Sequence, residues 1–530
     1  MRAVTVGSEP ARAERVRYRF SPLERRGVIA GWRGGQIASA AGGLVIGVLA
    51  LRSRPSVGGV AMALVSVAGG VGMGFWPVRG RTGEQWLPLV VRWMRTGSTR
   101  GRRQGAPGPQ RGHLATVDGT GSGPKAATSR PASARAGVTG RRMVFQGVRL
   151  AGVPFASERP AGPAGLVIDE PARTATAVLA VRGHSFALLG PTDQDSRIAA
   201  WARVLSAMAR EGSEVYRVQW IESCLPDDGS AVRRHMDEHA VLGSDTPAGR
   251  SYRALVDESS PVTRRHQVLL AVSLHTGRSS RTIRASGGGL EGTGAVLSRE
   301  VESLHRALEA ADVTVDGVLG PRALARVIGG ASTPTGRWGS RTGTGDDRRS
   351  AVDDDHGSAP DWPWPMAVEP EWDAVHTDGT WHATYWIAEW PRVDVTPDFL
   401  GPLLFSPLRR SIVLVMEPVS PSRAARQVAH ARTADIADGE LRRRGGFLVT
   451  ARHQREKESV EERDVELADG HAQYRFSGYV TVTTDTREEL EGACAAVEQA
   501  AGQARIELRL LYGEQDVAFA CSLPLGRGLA

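Results

Sequence analysis

Two uncharged apolar stretches near the N-terminus constrain this chain more than any other feature. Gly34 to Leu51 reads GGQIASAAGGLVIGVLAL, and Ser56 to Val78 reads SVGGVAMALVSVAGGVGMGFWPV. Each is long enough for a helix to cross a hydrocarbon core about 30 Å thick. The turn RSRPS between them carries Arg52, Arg54 and Pro55. A transmembrane helical hairpin is therefore expected, rather than a cleaved signal peptide. A convincing small-residue cleavage site is missing, and a second apolar segment follows at once. Leu44, Val45, Ile46, Val48, Leu49, Val60, Met62, Leu64, Val65 and Val67 are the residues expected in contact with lipid.

Arginine placement sets the expected orientation. Arg2, Arg12, Arg15, Arg17, Arg19, Arg25, Arg26 and Arg33 precede the first span. Arg79, Arg81, Arg92, Arg95, Arg100, Arg102 and Arg103 follow the second. The turn has only two, so the positive-inside rule puts both termini in the cytoplasm, at the cell (inner) membrane. The many glycines suit close helix packing, and Gly70–Gly74 contains a GxxxG spacing. Trp86 to Arg95 (WLPLVVRWMR) mixes apolar, aromatic and basic residues directly after the second span. It reads either as an interfacial helix on the cytoplasmic leaflet or as an amphipathic helix packed on a following domain.

The remaining chain has the composition of folded, mixed structure. Of 530 residues, 41% are hydrophobic, and the formal net charge is +8. Residues 97–142 and 329–360 are rich in small and polar residues and read as flexible linkers. The expected organisation is a basic arm over 1–33, the hairpin and stem over 34–96, and two cytoplasmic α+β domains over 143–328 and 361–530. In the first, Ser196–Arg210 and Val296–Ala310 carry helical apolar spacing. Val144–Val153, Gly165–Ile168, Ala175–Leu189, Glu214–Ser223 and Gln267–His275 read as strands. In the second, Trp381–Trp390, Ser411–Met416, Tyr474–Thr484, Arg505–Leu511 and Asp516–Cys521 read as strands. A long charged helix runs from Ser420, with a break at Gly445-Gly446. Another helix spans Glu488–Ala501, with Thr486 as its N-cap.

Motifs that carry chemistry fail on inspection. Lysine occurs only at Lys125 and Lys457. A P-loop needs glycines for its phosphate cradle and a Lys-Ser/Thr pair for phosphate and magnesium. The nearest stretch, Gly119 to Ala126, has Pro124 and Ala126 in place of the second glycine and the hydroxyl. His235-Met236-Asp237-Glu238-His239 matches HxxEH, a zinc-hydrolase spacing, but has no third ligand. Asp316 to Leu324 resembles the DGxxGPxT turn of peptidoglycan-binding modules without its threonine. Gly287, Gly288, Gly289, Gly292 and Gly294 lack GxGxxG spacing and read as a loop. Cys224, Cys494 and Cys521 are widely spaced, odd in number and form no CxxC pair, which argues against a disulfide framework or a Cys-rich zinc site. No catalytic residue, cofactor or metal is expected, and the chain reads as a non-enzyme. Six tryptophans cluster at 362, 364, 372, 381, 386 and 390. Of these Trp381, Trp386 and Trp390, with Phe405, are the expected partner interface.

The hairpin, the flexible arm, and the segments Trp381–Pro391, Phe399–Phe405, Ser411–Pro418 and Ala518–Gly526 together resemble a known family. It comprises actinobacterial integral membrane proteins encoded in conjugation-like clusters beside VirB/TraC-type ATPases. The C-terminal half also resembles the non-catalytic N-terminal region of CagE/TrbE/VirB-type secretion ATPases. The resemblance implies a membrane-anchored, non-catalytic scaffold of a type IV-like secretion complex, oligomeric and docking a separate ATPase. A type VII secretion component of the EccE type is the alternative. The basic linker allows weak nucleic-acid contact.

Overall fold

A computed structural model describes residues 34–53, 56–78, 81–97, 144–155, 162–183, 186–226, 246–259, 264–334, 363–445 and 451–529, with 232, 236 and 239. The N-terminal arm, most of both linkers, Arg79, Arg100, Arg102, Arg103, Lys125, His235, Glu238 and Trp362 lie outside the described residues.

Both apolar stretches are helices: α1 (Gly34–Ser53) and α2 (Val57–Phe75). The Ser56 hydroxyl caps α2 by accepting from the Gly59 amide at 3.3 Å, which satisfies one of the amides a helix start leaves free. A short hairpin, β1 (Pro77–Val78) and β2 (Arg81–Thr82), leads into α3 (Gly83–Gly97).

The rest forms mixed helix and antiparallel sheet. The first half contributes β3 (Val148–Val153), β4 (Ala164–Asp169), β5 (Thr174–Arg182), α4 (Pro191–Met208), β6 (Val215–Pro226), α5 (Pro247–Ser259) and β7 (Arg264–His275). It continues with α6 (Ser280–Ala285), α7 (Gly289–Ala310), β8 (Thr314–Val318) and α8 (Pro321–Ala331). The second half contributes β9 (Val368–Pro370), β10 (Val375–Thr377), β11 (Thr380–Glu389), α9 (Gly401–Leu404) and β12 (Arg410–Val419). It ends with α10 (Pro421–Gly445), α11 (Ala451–Ala468), β13 (Gln473–Thr484), α12 (Arg487–Gln503), β14 (Glu507–Leu510) and α13 (Gln515–Cys521).

The two segments expected as separate domains share one sheet of twelve strands. Its order is β3-β4-β5-β7-β6-β12-β13-β11-β10-β9, with β8 also on β5 and β14 also on β11. Each half repeats the same split β-α-β-β-α-β order. In the first it is β5-α4-β6-β7-α7-β8, with α5 and α6 inserted before and after β7, and in the second β11-α9-β12-β13-α12-β14, with α10 and α11 inserted between β12 and β13. In each, a preceding hairpin strand pairs the start of the first strand and the fourth strand pairs its end. β4 meets Thr174–Ala177 and β8 meets Leu179–Arg182. β10 meets Thr380–His382 and β14 meets Tyr385–Glu389. The equivalent strands β6 and β12 pair antiparallel at the centre, from Val218↔Met416 to Cys224↔Arg410. The halves are thus related by an approximate twofold through that seam. Pairing there removes two bare sheet edges.

Period-two alternation sends successive residues to opposite faces. Ala177, Leu179 and Val181 of β5 pack under α4 and α7, against Val204, Val296, Val301 and Leu304. Val178 and Ala180 face the other way, toward Leu324 and Ile328 of α8 and Phe519 of α13. In the second half Tyr385, Ile387, Ile412 and Val480 pack under Leu490 and Val497 of α12.

Three expectations need correction. Asp516–Cys521 is the helix α13, not a strand: Ala518, Phe519, Ala520 and Cys521 are all buried, and five apolar residues in a row carry no period. The strand from Ala175 stops at Arg182, and Phe186–Leu188 is a single 3-10 turn. The domain boundary at 329–360 does not divide the sheet, because β6 and β12 pair across it.

Candidate functional site: the hairpin, its stem and the seam

The hairpin packs through its small residues. A Cβ at Gly43 would lie 2.7 Å from the Ser66 carbonyl oxygen and 3.0 Å from the Gly70 Cα. One at Gly70 would lie 2.6 Å from the Ser39 carbonyl oxygen, and one at Gly74 would lie 2.5 Å from the Ser39 hydroxyl. Gly47 approaches the Ala63 carbonyl and the Val67 side chain. Such backbone approach is how helices associate where lipid removes the hydrophobic drive between them. The Gln36 amide donates to the Gly74 carbonyl at 3.1 Å, tying the first turn of α1 to the last turn of α2. Leu44, Val45, Ile46, Val48, Leu49, Val60, Met62, Leu64 and Val65 all face outward, while Val67 is partly covered by Gly47. Both helices are long and apolar enough to cross a membrane.

The stem α3 starts against the hairpin's open end. Gly83 packs on Met73 of α2, and Gly35 of α1 packs on Glu84. The same helix docks on the second half through an aromatic clasp. Trp86 stacks on Trp372 with ring centres 5.9 Å apart, and Trp93 meets Trp372 edge-on at 5.5 Å. Tyr512 closes the group, 5.8 Å from Trp86 and 6.1 Å from Trp372. Arg81 lies over the Trp86 ring at 5.7 Å and pairs with Glu514 at 3.8 Å. Burial lowers the Arg81 pKa from the ordinary arginine value, with Glu514 opposing the shift. Trp372 sits between β9 and β10, and Tyr512 and Glu514 sit between β14 and α13. The clasp therefore joins the hairpin to the outer edge of the second half, not to the segment that follows it in sequence. Tyr512 and Glu514 were not anticipated, since an isolated tyrosine and glutamate carry no pattern.

No family model matches the chain. No curated protein matches it either.

At the seam, Arg410 is 1% exposed and pairs with Glu222, and it also donates to the Leu404 carbonyl. The second Glu222 oxygen takes His266 Nδ1 at 2.7 Å. Burial pushes up the pKa of the neighbouring Cys224 thiol, the opposite of what a nucleophile needs. On the opposite face the C-terminal tail crosses from one half to the other. The Gln219 amide donates to the Cys521 and Leu523 carbonyls and accepts from the Gly526 amide. Arg217 donates to the Gly526 and Leu529 carbonyls, and Arg527 pairs with Asp169. These contacts hold the halves and the tail together, although the Nε groups of Arg217 and Arg410 are buried without a hydrogen-bond partner.

The remaining motifs find structural roles. Asp316 pairs with Arg182, Gly320 precedes α8, and Pro321 opens it. The Gly165 amide donates to the Leu319 carbonyl at 2.8 Å. The glycine run makes the corner between α6 and α7: Gly287 and Gly288 have positive φ, and a Cβ at Gly292 would run into the Ile283 carbonyl. His239 is exposed. Among the described residues no group of three His, Cys, Asp or Glu side chains could hold a metal. The four aromatics expected at a partner interface do not form one surface. Trp381 and Trp386 are five residues apart on β11 and so face opposite ways, toward His376 and Ser477 respectively. Trp390 packs on Phe399 and Phe476, and Phe405, beside Gly401, is 75% exposed.

Proposed function

We propose that the chain is a membrane-anchored, non-catalytic scaffold of a conjugative, type IV-like secretion complex. On this reading α1 and α2 cross the cytoplasmic membrane with both termini in the cytoplasm, and the body beyond them docks a separate VirB/TraC-type ATPase. The observation that carries it is the clasp: a hairpin of membrane length is joined through Trp86, Trp93, Trp372 and Tyr512 to a broad sheet. A scaffold needs such a joint to transmit position from membrane to partner, and an anchor on a loose tether does not. The use of buried polar groups for packing rather than chemistry supports the same reading. So does the resemblance of the C-terminal half to the non-catalytic region of secretion ATPases.

The helical arm α10–α11 is the proposed docking element. It leaves the sheet between β12 and β13 and is held by Val428, Ala431 and Val460, with Arg432 on Asp464 at 2.5 Å. Ile436 and Val465 are exposed on it. A helix of 25 residues reaches about 37 Å. Purification of the full chain from its own cells in mild detergent tests the proposal. A VirB/TraC-type ATPase should accompany the chain and be lost on Ile436→Glu with Val465→Glu. Recovery of FtsK-like ATPases with small WxG proteins would instead support the type VII alternative, and recovery of no secretion subunit would refute both.

A further inference from the structure

The clasp occupies only part of the apolar arc of α3. At 100° per residue, Trp86, Val90 and Trp93 share one face, and Leu87, Val91 and Met94 form a second stripe about 100° around the helix. That second stripe is open: Leu87 is 53% exposed, Val91 36% and Met94 62%. Its position fixes what can cover it. Gly83 lies against Met73 in the last turn of α2, and Glu84 lies against Gly35 in the first turn of α1. The stripe therefore begins about one helical turn from the ends of both spans. Phe75 and Trp76 are exposed at the same level, where amphipathic rings sit among headgroups.

We infer that the Leu87–Val91–Met94 stripe seats in the headgroup–acyl boundary of the bilayer that α1 and α2 cross. The clasp thereby holds the β9–β10 edge of the sheet against the membrane surface. This rests on the membrane reading of the hairpin and adds to it the pose of the body. One helix then has two apolar contacts, lipid on one stripe and the sheet on the other. The hairpin fixes where the body is, and α3 fixes which edge faces the bilayer.

The test uses the full chain in vesicles of phosphatidylcholine and phosphatidylglycerol. Leu87→Cys, Val91→Cys and Met94→Cys are each labelled with bimane. Labelling of the unaltered chain, whose cysteines are buried or half-buried, supplies the background. Leu64→Cys reports the span, and Leu188→Cys, at an 86% exposed site, reports water. Quenching by lipids with a doxyl group near the headgroup is compared with quenching by aqueous iodide. The expected result is severalfold stronger lipid quenching at 87, 91 and 94 than at 188, with iodide quenching reduced by a similar factor. Iodide quenching equal to that at 188 would overturn the inference, and so would shielding from both quenchers, which means a second copy covers the stripe. If the Leu64 probe is itself unquenched by lipid, the membrane reading fails, and the inference fails with it.

Discussion

At the scale of single residues, the hairpin depends on where each glycine points. Gly70 has the Ser39 carbonyl in the space a Cβ would fill, whereas Gly69 has nothing within 4 Å. Gly70→Leu should therefore lower the melting temperature in detergent by several degrees, and Gly69→Leu should leave it within a degree or two. Equal effects would mean that the helices do not cross as described. The sequence displayed the glycines but not which of them face the partner helix, because both spans are glycine-rich around their whole circumference.

A buried histidine makes a second residue-scale prediction. His382 is fully buried, stacks on Phe519 at 4.1 Å, and is held by the hydroxyls of Thr377, Thr380 and Thr483. Burial drives its pKa well below 6.5, aided by Arg409 and His376. The neutral ring is thus the folded form, and the unfolded chain binds the extra proton first. Its contribution to stability is present above about pH 6.5 and declines as pH falls, by at most about 1.4 kcal/mol per pH unit. Thermal unfolding at pH 7.5 and 5.5 should show a smaller pH difference for His382→Gln than for the unaltered chain. An identical difference would exclude the histidine as its source.

At the scale of elements, two joints hold the molecule. The clasp joins α3 to the second half. Aromatic pairs contribute about 0.5–1.5 kcal/mol beyond the area they bury. A double-mutant cycle of Trp86→Ala with Trp372→Ala should give a coupling near 1 kcal/mol, read by protease cleavage within α3. A coupling of zero would separate the stem from the body. The seam joins β6 to β12. Glu222→Gln leaves the buried Arg410 without its carboxylate, and about 3–5 kcal/mol of stability should be lost in denaturant unfolding. Long, periodic elements were readable in advance: α4 from Ile198, Trp201, Val204, Leu205 and Met208, α7 from Val296, Val301, Leu304 and Leu308, and β13 from its alternation. Thr486 caps α12 as its position suggested, accepting from the Glu489 amide at 3.3 Å. The short elements β9, β10 and α13 were not readable, since three to seven residues do not complete a pattern.

At the scale of the whole molecule, the repeated halves and the single sheet were invisible in the sequence. Alternation reveals which face of β6 is buried, but not which strand lies along its edge. The partner β12 is nearly two hundred residues away, beyond a low-complexity linker that resembled a domain boundary. One consequence is cooperative: residues 144–334 expressed alone would expose the β6 edge and should self-associate in size-exclusion chromatography. A well-behaved monomer would show that the seam is dispensable. The two apolar helices α1 and α2 are the opposite case, because an uncharged apolar run needs no long-range partner to be recognised as a helix of membrane-spanning length.

The claim on which the rest depends is that the sheet is a body fixed to the cytoplasmic face of a membrane by α1 and α2. Protease treatment of sealed, inverted membrane vesicles tests it most directly. The account predicts that the chain resists alkaline carbonate extraction, and that protease removes residues 144–529 while a fragment containing 34–78 survives in the lipid. Release by carbonate, or protection of the 144–529 body inside the vesicles, would contradict it.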